Sequence, residues 1–111
     1  MDDADLWILS YDVDGADRAT AVRVCQLIFG RRNTTTREGR PATYEQQGFI
    51  HRPGVVWVGQ SVLILPRSDA FELRGRIEGM GASVGLGRLT IDGPSLAVFR
   101  RRRGARARAP S

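Results

Sequence analysis

The sequence predicts an α+β domain, one antiparallel sheet with two helices on one face and an extra strand at the C-terminal end. Three observations predict it. Apolar runs rich in β-branched residues alternate with two stretches whose apolar residues recur every three or four positions. Glycine, proline, serine and aspartate punctuate almost every junction. A length of 111 residues with 41% hydrophobic content suits one domain around one modest core.

Leu6 to Val13 is the first strand; Leu6, Trp7, Ile8 and Leu9 put apolar side chains on both faces, as an interior strand requires. Gly15 to Phe29 follows as a helix, with Val22, Cys25, Ile28 and Phe29 expected on its buried face, Asp14 or Asp17 as its cap and Gly30 at its end. Residues 31–53 form an inserted arm. Its first part, Arg31 to Thr43, is polar with Gly39 and Pro41 and is expected to be a loop or an exposed arm, and Tyr44 to Ile50 a strand. After the turn His51 to Gly54, Val55 to Leu65 reads as one long strand with a bulge or a sharp bend at Gly59. Ser68 or Asp69 then caps a second helix, with Glu72 completing a capping box and Ala70, Leu73, Ile77 and Met80 as its buried stripe. Ser83 to Ile91 is a strand, "DGPS" a turn and "LAVFR" (Leu96 to Arg100) a short last strand. The order strand, helix, strand, strand, helix, strand is the ferredoxin-like βαββαβ arrangement, and right-handed crossovers place the first strand inside the sheet. The last strand would extend its own sheet or the edge of a partner's, which predicts a homodimer.

Charge is informative by position. All 17 basic residues are arginine, and Arg100, Arg101, Arg102, Arg103, Arg106 and Arg108 lie in the last twelve positions. Eleven arginines against twelve acids leave residues 1–99 at −1, and the tail of residues 100–111 adds +6. Such a tail, expected to be flexible, confers salt-sensitive affinity for polyanions. Arg31, Arg32, Arg37 and Arg40 on the arm offer guanidinium forks to phosphates, and Arg100 to Arg103 extend that surface. The acidic start "MDDAD" is unlike a basic signal peptide, and no apolar run approaches the roughly 20 residues of a membrane span, so a cytoplasmic protein without membrane contact is expected. Cys25 is the sole cysteine, which leaves no internal disulfide, and its helical position suggests a buried, inert thiol.

No Walker loop, dinucleotide fingerprint or EF-hand spacing is present. His51, the sole histidine, sits in a turn. Asp14 and Asp17 fit helix capping, with Asp14 the one other candidate metal ligand near Asp12. Asp12 has two readings: a helix-start acid, or a working carboxylate at a strand tip. One carboxylate holds Mg²⁺ weakly, whereas two brought together in a dimer hold it better.

"YDV" (Tyr11, Asp12, Val13), followed by a helix and later by "GQSVLIL" (Gly59 to Leu65), resembles CRISPR-associated protein 2 over roughly Leu6 to Phe99. The resemblance implies a small ferredoxin-like homodimer whose last strand crosses to the partner's sheet. It also implies facing first-strand aspartates, in some members a Mg²⁺-dependent endonuclease, and in CRISPR adaptation a duplex-DNA scaffold between integrase subunits. Gln60 and Ser61 are adjacent where the family separates them by one residue, and about twenty residues are inserted before that strand. The segment from Ser61 to Val84 is similar also to domains of phenylacetate-type repressors and chromate-resistance regulators, which implies a non-catalytic regulatory or assembly module as the alternative.

Overall fold

The computed structural model describes residues 5–13, 15 and 17–107. Its elements are β1 (Leu6–Asp12), α1 (Arg18–Phe29), β2 (Gly30–Arg37), β3 (Arg40–Gln47), β4 (Val56–Gly59), β5 (Val62–Pro66), α2 (Arg67–Gly79), β6 (Ser83–Leu89) and α3 (Gly93–Ala107), with a 3₁₀ turn at Phe49–His51. Four strands form an antiparallel sheet in the order β4-β5-β1-β6, while β2 and β3 pair only with each other. With the β2–β3 arm set aside, that order is compatible with a ferredoxin-like α+β fold, and β1 takes the interior position expected of it.

Alternation along β1 decides which face is which. Leu9 and Tyr11 point into a core shared with Val24 and Ile28 of α1, Leu63 and Leu65 of β5, and Ala70, Leu73 and Ile77 of α2. Ser10 and Asp12 therefore lie on the other face and are exposed. Burying side chains of this size on folding stabilises by about 1.5–3 kcal/mol each before entropy is counted.

Five expectations need correction. The stripe of α1 is Thr20, Val24 and Ile28, so Val22 and Cys25 are exposed rather than buried. The helix starts at Arg18, capped by Asp17, whose carboxylate accepts the Thr20 amide at 2.7 Å, and this phase turns Cys25 outward. Arg31 to Thr43 is no loop: with Tyr44 onward it closes an eight-by-eight-residue hairpin. Val55 to Leu65 is a hairpin too, because Gln60 (φ 46°) and Ser61 (φ 75°) reverse the chain between β4 and β5. Both residues have positive φ, which selects the turn whose twist suits a two-residue hairpin, at the strain such angles bring to non-glycine residues. The register shifts between Trp57 and Gly59, next to this reversal.

The fourth correction concerns the C-terminal end. Leu96 to Arg100 belongs to α3, so no terminal strand exists to cross into a partner's sheet. The Asp92 carboxylate accepts the Ser95 amide at 2.7 Å, and the Asp92 carbonyl accepts the Leu96 amide at 3.0 Å, an N-cap with Pro94 in the first turn. The Ser95 amide holds the Asp92 carboxyl below its ordinary value. Packing of α3 against β4 explains why Val56 and Ile64 are buried although they stand outside the main core.

In α2 the foreseen capping box does not form, since the helix begins at Arg67 and Pro66 caps it without a side-chain bond. Asp69 and Glu72 instead take Arg52, whose Nη1 donates to Asp69 at 2.9 Å and to Glu72 at 2.8 Å. Its guanidinium also lies 3.8 Å from the Phe49 ring centroid, so one side chain fastens the foot of the arm to α2. The hydrogen bond from Arg52 is the main reason the Glu72 carboxyl titrates below its ordinary value. A carboxyl lowered in the folded state stabilises above its unfolded pKa and loses that contribution as pH falls through the folded one. Arg52→Met is expected to cost about 1–2 kcal/mol at pH 7, kept small by the partial exposure of the pairs. Melting curves of both proteins at pH 7 and pH 3 check this: the gap should narrow at pH 3, and an undiminished gap would assign the effect to packing on Phe49.

Candidate nucleic-acid interface

The arm starts from two glycines. Gly30 (φ 94°) ends α1 by donating its amide to the Gln26 carbonyl and then opens β2, while Gly48 closes the ribbon on the return. A side chain on Gly48 would meet the backbone of Ile28, Phe29 and Gly30, so bare backbone is required where the ribbon leaves the body. At the far end Glu38 (φ 53°) and Gly39 (φ 77°) make a tight two-residue turn. Eight residues per strand give a ribbon about 27 Å long, in a molecule whose longest extent is 52 Å.

Of the expected arm contacts, Arg31 and Arg40 are exposed. The register sets Arg37 directly opposite Arg40 beside the turn. Like charges at facing positions destabilise a ribbon. At the foot of the arm a groove of about 210 Å³ brings Arg31 and Gln46 together with Arg23 and Gln26 of α1 and Arg76 of α2. Sequence reasoning missed Arg23 and Arg76. The signal that could have found them is the outward helical face each occupies, read together with the arm rising at the end of α1. Arg76 keeps a loose pair with Glu72 at 3.5 Å.

Arg100 and Arg101 are exposed on the second half of α3, so the basic segment is helical through Ala107 rather than a free tail from Arg100. The side chains of Arg32, Arg37, Arg102 and Arg103 lie outside the described residues, as does Asp14.

Asp12 ends β1, exposed, opposite Ser83 of β6 and on the sheet face turned away from α1 and α2. Among the described residues no three His, Cys, Asp or Glu side chains gather to hold a metal. Among the described residues Asp12 is thus the one candidate Mg²⁺ ligand of this region, and a lone carboxylate holds that ion weakly. His51 is exposed and lines a hollow of about 300 Å³ with Arg31, Glu45 and Gln47. No serine, threonine or cysteine is among the described residues that line it.

The two segments that carry the family resemblance touch. The Tyr11 amide donates to the Ser61 carbonyl at 3.0 Å, and the Tyr11 phenol is hydrogen-bonded to the Ser61 side chain. Burial pushes the phenol's pKa up, which the Ser61 bond partly offsets. Gln60 and Ser61 themselves occupy the β4–β5 turn, not a strand.

No family model matches the chain, and neither a curated protein nor a solved structure does. No helix among the described residues is long and apolar enough to cross a membrane.

Proposed function

We propose that the protein binds duplex nucleic acid, with DNA favoured, through the arm and the basic half of α3. The observation that carries this reading is the arm itself: a two-stranded ribbon with a polar sequence on both faces and Arg37 opposite Arg40 at its tip. A two-stranded ribbon fits the major groove of B-DNA, about 12 Å wide, and guanidinium groups suit phosphates on either side. A phosphate at the tip would meet the two positive charges that the register brings to facing positions. The arginines of the foot groove continue the basic surface onto the body.

In this reading the protein is a scaffold, not a catalyst. A second copy remains a proposed partner, now through β6, an edge strand with no proline and one charge. The resemblance adds an integrase subunit that would hold the same duplex, and a rival role as a Mg²⁺-dependent nuclease acting at Asp12.

Fluorescence anisotropy on a labelled 30-base-pair duplex, over a range of NaCl concentrations, tests the proposal. Wild-type binding should weaken steeply with salt, and Arg37→Gln with Arg40→Gln should lower the slope of log affinity against log salt by about 2. A slope unchanged by the double substitution removes the arm from the interface. The same duplex incubated with Mg²⁺ or EDTA should stay intact; cleavage that disappears in Asp12→Asn would make the protein a nuclease instead. Sedimentation velocity of the free protein reads the dimer.

A further inference from the structure

At the start of β1 and α2 a second basic surface is built differently from the first. Phe71 lies edge-on to Trp7, centroids 5.0 Å apart. Arg67 and Arg74 stand 5.4 Å and 4.9 Å from the Phe71 centroid, and Arg88 stands 5.7 Å from that of Trp7. Positions 67, 71 and 74 recur along one side of α2, next to its buried stripe of Ala70, Leu73 and Ile77. A hollow of about 450 Å³, lined by Asp5, Arg67, Ser68 and Phe71 among others, opens beside the ring. That volume is within the range of small-molecule sites, which begin at about 300 Å³.

Charge separates the two sides of this cluster. Asp5 accepts the Trp7 indole N–H at 3.1 Å and lies 3.8 Å from Arg88, so the Trp7 side is largely neutralised. Among the described residues Arg67 and Arg74 pair with no carboxylate, although Glu78 stands one turn beyond Arg74 on the same helix. Two guanidinium groups thus lie over an aromatic ring next to open space, and the exposed Arg67 side chain is free to swing aside and yield its place on the ring to a base. A stacking platform with cationic sides is the chemistry that receives an unpaired base and its neighbouring phosphates. A duplex keeps its bases stacked on each other and gives such a platform nothing to hold.

We propose that Phe71, Arg67 and Arg74 form a single-strand site, taking one unstacked base of DNA or RNA on Phe71 with its phosphates on Arg67 and Arg74. Asp5 repels phosphate and so fixes the backbone on the Arg67 and Arg74 side. The site is separate from the arm and does not depend on duplex binding.

The test uses the full chain and labelled oligothymidylate of twenty residues. Wild-type protein should bind it and lose tryptophan fluorescence, since Trp7 borders the occupied ring while Trp57 is buried. Arg67→Gln with Arg74→Gln should weaken binding at least tenfold, and Phe71→Leu, which keeps apolar bulk but not the ring, about tenfold. Both variants should keep the wild-type circular dichroism spectrum and duplex affinity. Arg37→Gln with Arg40→Gln should leave oligothymidylate binding intact, so failure of the arm and failure of this site read out separately. Wild-type protein that ignores oligothymidylate overturns the proposal, as do Arg67 and Arg74 variants that bind it normally. Displacement by polyglutamate or phosphatidylglycerol vesicles at equal charge concentration also overturns it, by reducing the site to bare positive charge.

Discussion

Gly48→Ala is expected to cost about 3 kcal/mol or more, the largest single effect foreseen. The backbone angles of Gly48 (φ −86°, ψ 172°) suit alanine, so conformation is not the reason. Space is. The added methyl would press on the Ile28 carbonyl oxygen and the Gly30 amide nitrogen, and would lie 2.5 Å from the Phe29 carbonyl carbon. These atoms belong to the end of α1 and the start of β2, neither of which can yield without moving the arm off the body. Next in the chain stand Phe49 and Ile50, both in the core, so the disturbance reaches packed side chains directly. Against a total stability of 5–15 kcal/mol, typical of such domains, this is a large fraction. Urea unfolding measures it, with Gly75→Ala as the opposite control. Gly75 is exposed inside α2 with nothing near it, so alanine there should stabilise by roughly 0.5–1 kcal/mol. A Gly48→Ala protein as stable as wild type would show that the ribbon does not leave the body at this point.

Replacing Arg100, Arg101, Arg102 and Arg103 together by glutamine is expected to lower duplex affinity roughly 100- to 1000-fold near 0.1 M salt. Glutamine has nearly the helix propensity of arginine, so α3 should persist. If all four contact phosphates, the salt slope should fall by about 3.6, close to twice the change expected from the two arginines at the arm tip. Anisotropy measures the slope, and circular dichroism verifies the helix. An unchanged slope would place the duplex on the arm and its foot groove alone.

How far the sequence could be read depended on how local the deciding interaction was. β1, α2 and β6 were legible from their apolar patterns, and α1 was legible as a helix. The phase of α1 was misjudged by weighting apolar identity: Thr20 is buried at 7% exposure while Val22 is 46% exposed, and only the cap at Asp17 fixes which face turns inward. Gln60 and Ser61 hid a hairpin because neither is a usual positive-φ residue; Tyr11, from another strand, bonds to the reversal. For Leu96 to Phe99, four apolar residues fit a strand or a helix equally, and the answer lay upstream in Asp92 and Pro94, a helix start mistaken for a turn. At the candidate site, the arm's arginines were legible as charge. Their partners Arg23 and Arg76 were not, since only the fold sets α1, α2 and the foot of the arm around one groove. Asp12 was placed correctly at a strand tip, yet on the face away from both main helices.

α3 leaves the sheet unequal at its two ends. It roofs β4, where Val56 is sealed from both sides, whereas β6 has Gly85 and Gly87 on the same face and no neighbour along its outer edge. Both are edge strands, but α3 lies against β4, so water has freer access to β6 than to β4. Amide exchange is therefore expected to be faster along the outer edge of β6 than along that of β4.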